Sequence, residues 1–154
     1  MTDEPPLMKD FDPLALDNQL CFTLYSTSLA MTQMYKPLLD PLGLTYPQYL
    51  VMMILWQEDG IGLKDIGAKL GQQSGALTPV IKRLEQEGRV RRVRDPQDER
   101  ALCIQLTPEG KALRQQALGI GQCVLDACGF NLEELVDLKR KIDQLRRNIQ
   151  NSTQ

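Results

Sequence analysis

The sequence predicts a mainly α-helical fold that carries one small β-hairpin. Three observations support that expectation. Six segments repeat apolar residues at helical spacing and are separated by capping or breaking residues. One stretch, between Gly88 and Thr107, switches to the alternation of strands. Lysine and arginine gather in and just before that stretch, although the whole chain has a net charge of -2.

Residues 1–13 hold three prolines and five charged side chains and read as a disordered tail. From Leu14 to Leu39 the pattern is a long helix, with Asp17 as its cap, ending near Pro41 and Gly43. Thr45 caps a second helix, Pro47 to Gln57, because threonine suits the cap and proline the first turn. Tyr49 to Trp56 are apolar without interruption, which places this helix at the centre of the core. Asp59-Gly60-Ile61-Gly62 then breaks the chain. A short helix, Leu63 to Leu70, sets Ile66 and Leu70 at i, i+4, and Gly71 stops it. Ser74 begins the next helix, running to about Glu87 with Leu77, Ile81 and Leu84 inward. Two short helices about a glycine-containing turn form a helix-turn-helix.

Val90 to Arg94 reads as a strand, Asp95 to Asp98 as a turn, and Ala101 to Leu106 as the returning strand. Leu102, Ile104 and Leu106 share one side of it. This hairpin is a wing, so residues 61–107 make a winged helix-turn-helix. Thr107-Pro108-Glu109 supplies cap, first-turn proline and acidic first turn for a helix towards Ala127, through Gly119 and Gly121. Asn131 caps the last helix, whose Leu132, Leu135, Leu138, Ile142, Leu145 and Ile149 stand close to heptad spacing. Such a stripe needs a partner. Segments 14–40 and 108–150 are therefore expected to be dimerisation helices, within a single domain of residues 14–150.

Composition narrows the function. Hydrophobic content of 42% and charged content of 25% are those of a globular chain, and no apolar run approaches a membrane span. The acidic N-terminus lacks a secretion signal, so a cytoplasmic protein without membrane association is expected, its cysteines reduced at rest. The chain has no histidine. That excludes Ser-His-Asp and Cys-His catalysis as well as histidine zinc sites. Cys21, Cys103, Cys123 and Cys128, spaced 82, 20 and 5 apart, lack the paired spacing of a thiolate zinc site. No metal, cofactor or enzymatic activity is expected.

The charge pattern points to duplex DNA. Lys82, Arg83, Arg89, Arg91, Arg92 and Arg94 face only Glu85 and Glu87 in the same stretch, and Arg100 follows the turn. Phosphate neutralisation supplies most non-specific DNA affinity, so a local basic patch on an acidic chain is a binding footprint. Gln73, Ser74, Ala76, Thr78, Lys82 and Arg83 lie on the exposed face of the second short helix, where small polar side chains reach base edges. Arg100 at the wing tip suits a narrow minor groove, with Asp98 orienting its guanidinium.

The stretch LKDIGAKLGQQSGALTPVIKRLEQEGRVRRVRDPQDERALCIQLTPEGKAL resembles the DNA-binding core of the MarR family, including its wing element Asp98-Glu99-Arg100. DNQLCFTLYSTSLAMTQMYKPLLDPLGLTYPQYLVMMILW is similar to the OhrR branch, the organic hydroperoxide resistance regulators, with QLCF, YKPLL and LTYPQYL as its specific blocks. The resemblance spans roughly residues 14–150. Relatives often read DSGTLTP where this chain has Gln73-Ser74-Gly75-Ala76-Leu77-Thr78-Pro79, so no operator sequence is carried over.

Cys21, Tyr25, Ser28, Thr32 and Tyr35 fall at 0, +4, +7, +11 and +14, one helix face, and Tyr46 opens the next helix. Read alone, Cys21 is a small hydrophobe and the tyrosines are core or interface. The OhrR resemblance implies instead that Cys21 senses organic hydroperoxides. It implies that Tyr35 and Tyr46 hydrogen-bond the sulfur with Tyr25 close by, donors that favour the reactive thiolate. In two-cysteine relatives a cysteine on the partner's penultimate helix then forms a disulfide with it. Aligning on LEELVDLK puts Asp126 at that place, with Cys123 one turn away and Cys128 beside Gly129. Cys123, Cys128 and an external small-molecule thiol all stay open as the resolving group, and Cys103 has no assigned role. The resemblance thus implies a C2 homodimer that binds a pseudo-palindromic operator when reduced and leaves it on oxidation. A ligand-responsive repressor of the same family without redox sensing, and a thiol peroxidase, are the rival readings.

Overall fold

In the computed structural model, which describes residues 11–153, helix α1 spans Leu20–Leu39 and starts later than its apolar pattern suggests. Positions 1–10 of the expected tail lie outside the described residues. Ahead of α1 the chain closes turns instead. Asp12 Oδ1 accepts the Leu14 N–H at 2.9 Å, and Gln19 Nε2 donates to Pro13 O at 2.7 Å and Ala15 O at 2.9 Å. Asp17 is therefore not the cap; it sits in a 3-10 turn, Leu16–Asn18, and Gln19 takes the cap position. The helix ends through a second 3-10 turn, Asp40–Leu42, and Gly43, whose φ of 68° is left-handed backbone that favours glycine. Leu39, Leu42 and Leu44 are buried, whereas Leu20, Tyr25, Leu29 and Met31 are exposed. The described residues fall into two compact units that divide between Tyr46 and Pro47.

The second unit holds nearly all of α2 (Tyr46–Gln57), then β1 (Ile61–Gly62), α3 (Leu63–Leu70), α4 (Ser74–Gln86), β2 (Val90–Arg94) and β3 (Leu102–Leu106). α5 (Pro108–Ala117), α6 (Ile120–Cys128) and α7 (Leu132–Ser152) follow. Val51, Met52, Leu55, Ile66, Leu77, Ile81, Leu84, Val90 and Ile104 are each no more than 1% exposed. Each such side chain contributes about 1.5–3 kcal/mol by leaving water. The inward set expected on α4 is all here. α2 is buried on one side only, since Met53 stays exposed although the helix is apolar all round.

β1 is a strand that sequence patterning reads as a break, because two residues show no alternation. It completes a three-stranded antiparallel sheet in the order β1-β3-β2, with Ile61 opposite Ile104 and Val90 opposite Leu106. Ile104 and Leu106 are buried, but Leu102, nearer the wing tip, is exposed. Thr107 Oγ1 accepts the Gly110 N–H at 3.0 Å and donates to Gly88 O at 2.6 Å, so one hydroxyl caps α5 and ties it to the end of α4. Gly110 packs so closely that a Cβ there would sit 2.1 Å from Arg89 O. Its carbonyl accepts Trp56 Nε1–H at 2.9 Å.

The helix expected to run to Ala127 is instead two, α5 and α6, interrupted at Leu118–Gly119. Gly119 and Gly121 each cost a helix about 1 kcal/mol relative to alanine, enough to part it. Asn131 caps α7 as expected, accepting the Glu134 N–H at 2.8 Å. α7 buries no residue, and Leu132, Leu138, Ile142 and Ile149 on its stripe are exposed. Asp137 pairs with Arg140 and Lys141, and Asp143 with Lys139 and Arg146. Those cations hold both carboxyls below their ordinary range, Arg140 foremost at Asp137 and Lys139 at Asp143. Among the described residues no helix is long and apolar enough to cross a membrane.

Candidate nucleic-acid interface and thiol site

α4 turns Ser74, Thr78 and Lys82 away from its buried Leu77, Ile81 and Leu84. Gln73 at the cap position and Ala76 in the first turn are exposed. Nothing lies within 4 Å of a Cβ built on Gly75, so this end of the helix is unencumbered. The Ala76 N–H already donates to Gln73 O at 3.0 Å, whereas those of Ser74 and Gly75 precede any helical acceptor and suit a phosphate or a base acceptor. Thr78 Oγ1 donates to Ser74 O at 3.1 Å, which leaves the hydroxyl lone pairs to accept from a base.

The cations expected to meet DNA are not equivalent. Lys82, Arg91 and Arg100 form no ion pair among the described residues. Arg83 pairs with Glu87 one turn on, at 3.2 Å. Arg94 Nη1 donates to Glu99 O at 2.9 Å. Arg92 is held by Glu85: Oε1 accepts from Nη2 at 2.9 Å and Nε at 3.1 Å, while Oε2 accepts the Arg92 backbone N–H at 3.1 Å. The bond from the Arg92 side chain, then that from its backbone, draw the Glu85 carboxyl below its usual range. Glu85 is the residue that sequence reasoning missed. It counted only as a negative charge against the patch, and no periodic signal crosses from a helix into the strand after it.

The wing turn corrects the expectation for Asp98. Its Oδ1 accepts the backbone N–H of Arg100 at 3.0 Å, an Asx turn, rather than the guanidinium. Asp98 thus shapes the loop, and Arg100 extends from it exposed. A cleft of about 530 Å³ lies between Lys64 and Asp65 of α3, Ser74 of α4, and Asp95, Asp98 and Arg100 of the wing.

Cys21 is the second residue of α1, free and exposed, beside backbone donors of the first turn that have no helical acceptor. Tyr25, one turn on, is 64% exposed. Tyr35 and Tyr46 meet, their ring centroids 4.8 Å apart. At 1.5 Å per residue, however, the helix separates Cys21 from Tyr35 by about 21 Å. Within one chain the expected tyrosine pair exists but does not reach the thiol. Cys123 on α6 is exposed, and Cys128 is half-buried just before Gly129; both are free. In β3, partial burial, then the charges and hydrogen bond of Asp95 and the charge of Asp65, push the Cys103 thiol up. That environment disfavours its reactive form.

A helix-turn-helix joined to a three-stranded wing, with small polar residues opening its second helix, defines a winged-helix DNA-binding protein. Residues 44–102 match the MarR family. Over 129 residues the chain is 45% identical to the organic hydroperoxide resistance transcriptional regulator of Bacillus subtilis (strain 168), covering 84% of this chain and 88% of that one. The chain belongs to the MarR family. Its fold is similar to that of AbfR of Staphylococcus epidermidis in its reduced, DNA-bound form, with a TM-score of 0.77 at 35% identity, covering 90% of this chain and 95% of that one. Against disulfide-formed AbfR the TM-score is 0.59 at 38% identity, covering 88% and 90%.

Proposed function

We propose that this protein is a homodimeric transcriptional repressor that holds its operator when reduced and releases it when an organic hydroperoxide oxidises Cys21. The observation that carries the reading is the free, exposed Cys21 thiol in the first turn of α1, in a chain that also has a winged helix. The similarity to an organic hydroperoxide resistance regulator supports it. So does the existence of AbfR both reduced on DNA and in a disulfide form.

The uncovered apolar stripes of α1 and α7 support a C2 dimer, in which each copy completes the other's core. Because Tyr35 lies too far from Cys21 along α1, and Tyr46 meets Tyr35, the hydroxyls that meet the thiol are those of the partner subunit's Tyr35 and the partner subunit's Tyr46, with Tyr25 of the same chain alongside. The thiolate attacks a peroxide oxygen, the O–O bond breaks, and the alkoxide leaves and takes a proton as an alcohol. The resulting sulfenic acid condenses with Cys123 or Cys128 of the partner subunit, or with a small-molecule thiol, expelling water. On DNA, Gln73, Ser74, Ala76 and Thr78 face base edges, Lys82, Arg83, Arg91 and Arg94 face phosphates, and Arg100 enters the minor groove. Two copies read major grooves about one helical turn apart, so a change in their spacing costs affinity. The protein acts in the cytosol as a stoichiometric sensor rather than as an enzyme, a reading supported by its similarity to transcriptional regulators.

The test is a DNA-binding titration with and without cumene hydroperoxide, on wild type and Cys21→Ser. Peroxide is expected to abolish binding by wild type and leave Cys21→Ser bound. Equal loss in both proteins would sink the redox mechanism.

A further inference from the structure

We propose that Arg92 is a positioning residue rather than a phosphate contact. Glu85 and Arg92 brace α4 against β2, so that reading helix and wing meet DNA as one rigid piece. The inference rests on the DNA-binding reading above and deepens it.

The connection between α4 and β2 is short and turns at Gly88, at φ 77°. Main-chain bonds close it, Gly88 N–H to Glu85 O at 3.0 Å and Arg89 N–H to Leu84 O at 2.9 Å, and Thr107 at the start of α5 donates to Gly88 O and Arg89 O. These bonds hold the turn and the base of the strand, whereas the brace adds a side-chain link from the helix to a residue further along β2. Glu85, in the last turn of α4, receives two guanidinium N–H groups on one oxygen and a backbone N–H of the strand on the other. A single carboxylate therefore grips both the side chain and the main chain of Arg92. The main-chain bond also has a place in the sheet. Among the described residues β2 is an edge strand, paired only with β3, and the edge-facing N–H groups of such a strand have no strand partner. Glu85 fills one of them.

Charge separates Arg92 from its neighbour. Alternation along β2 sends Arg91 and Arg92 to opposite faces. Arg91 forms no ion pair among the described residues, whereas Arg92 and Glu85 each keep only 33% of their side-chain surface exposed. Taking Arg92 to a phosphate would leave the Glu85 carboxylate unpaired near a polyanion. A cation already neutralised by the protein releases no counterion from DNA, so Arg92 contributes to affinity without contributing to its salt dependence.

The experiment uses the reduced full-length protein and a duplex selected in vitro by wild type, titrated across a series of salt concentrations. Arg91→Ala is expected to make the log–log salt slope shallower by about 2 for the dimer, one per subunit. Arg92→Ala and Glu85→Gln are expected to weaken binding roughly tenfold at every salt with the wild-type slope, and with melting temperatures near wild type. The double variant Glu85→Arg/Arg92→Glu, which restores the pair in reverse, is expected to recover part of that affinity. A slope loss in Arg92→Ala equal to that of Arg91→Ala makes Arg92 a phosphate contact and overturns the brace. Glu85→Gln binding as tightly as wild type overturns it too, as does a reversed pair no better than the single variants. If wild type selects no duplex at all, the DNA-binding reading itself fails, which these variant comparisons cannot mimic.

Discussion

In the α3–α4–wing region, Ile66, Leu77, Ile81, Leu84, Val90 and Ile104 have at most 1% of their surface exposed, while α7 buries no residue and α1 buries only Leu39. Both regions are rich in leucine and isoleucine, so composition does not distinguish them. What differs is whether one chain suffices. The reading region closes its own core around glycines at close contacts. α1 and α7 carry apolar stripes that a single chain leaves wet, at a cost that association removes. The difference teaches where a signal can act. Cys21 lies on a helix that buries only Leu39 in one chain, whereas the part that faces DNA has a closed core of its own. Under the proposed mechanism, chemistry at the thiol alters how two finished heads are spaced, not the heads themselves.

Three measurements break or sharpen that contrast. The largest effect on stability is expected where α5 packs against the reading region, at Gly110→Ala. The new Cβ meets Arg89 O at 2.1 Å, a backbone atom that cannot move aside, so stability falls by about 3 kcal/mol and Tm by roughly 10 °C. Gly119→Ala, with nothing within 4 Å, is the control and melts at or above wild type. Calorimetry checks both, and a Gly110→Ala protein as stable as wild type would contradict the picture of a tightly closed core.

The next effect appears in assembly rather than in chain stability. Leu138→Glu with Ile142→Glu places two carboxylates on the exposed stripe of α7. Sedimentation velocity should find a folded monomer, its far-ultraviolet circular dichroism preserved and its operator binding lost. A variant that sediments as a dimer would show that this stripe is not the interface.

The smallest effect is electrostatic and reaches both regions. Glu85, Asp137 and Asp143 are all held below the ordinary carboxylate range, Glu85 by Arg92, Asp137 by Arg140 and Asp143 by Lys139. A carboxyl depressed in the folded state stabilises it above the unfolded value, about 4, and that contribution is lost as pH falls through the lower native value. Tm should therefore decline gently from about pH 5 to pH 3. Asp137→Asn should flatten part of the decline, and a variant whose pH profile superimposes on wild type would remove Asp137 from the account.

Much of the fold was legible because its signals are local. The cap at Thr107, the cap at Asn131 and the inward triplet Leu77, Ile81 and Leu84 each depend on residues within one or two turns. The misses have the opposite character. Asp17 lost the cap because Asp12 and Gln19 organise the preceding turns through backbone groups that no pattern displays. β1 is too short to alternate, and it becomes a strand only because β3 lies beside it. Asp98 was given the wrong end of Arg100, since both a backbone bond and a guanidinium bond are open to an aspartate two residues away. At the thiol site the periodicity of α1 puts Cys21, Tyr25 and Tyr35 on one face, but a shared face says nothing of distance along it. Whether residues 14–150 act as a single domain was likewise not written in periodicity, and the chain's contacts divide at Tyr46 and Pro47.

The bond from Trp56 to Gly110 has a spectroscopic consequence. Trp56 is the only tryptophan in the chain, so the emission excited at its red edge comes from one indole. That indole donates to the carbonyl of the residue wedged against Arg89, where the end of α2, the turn into β2 and the start of α5 converge. Its wavelength and lifetime thus form an intrinsic, label-free optical gauge of that junction, readable in the same cuvette during peroxide addition or DNA titration.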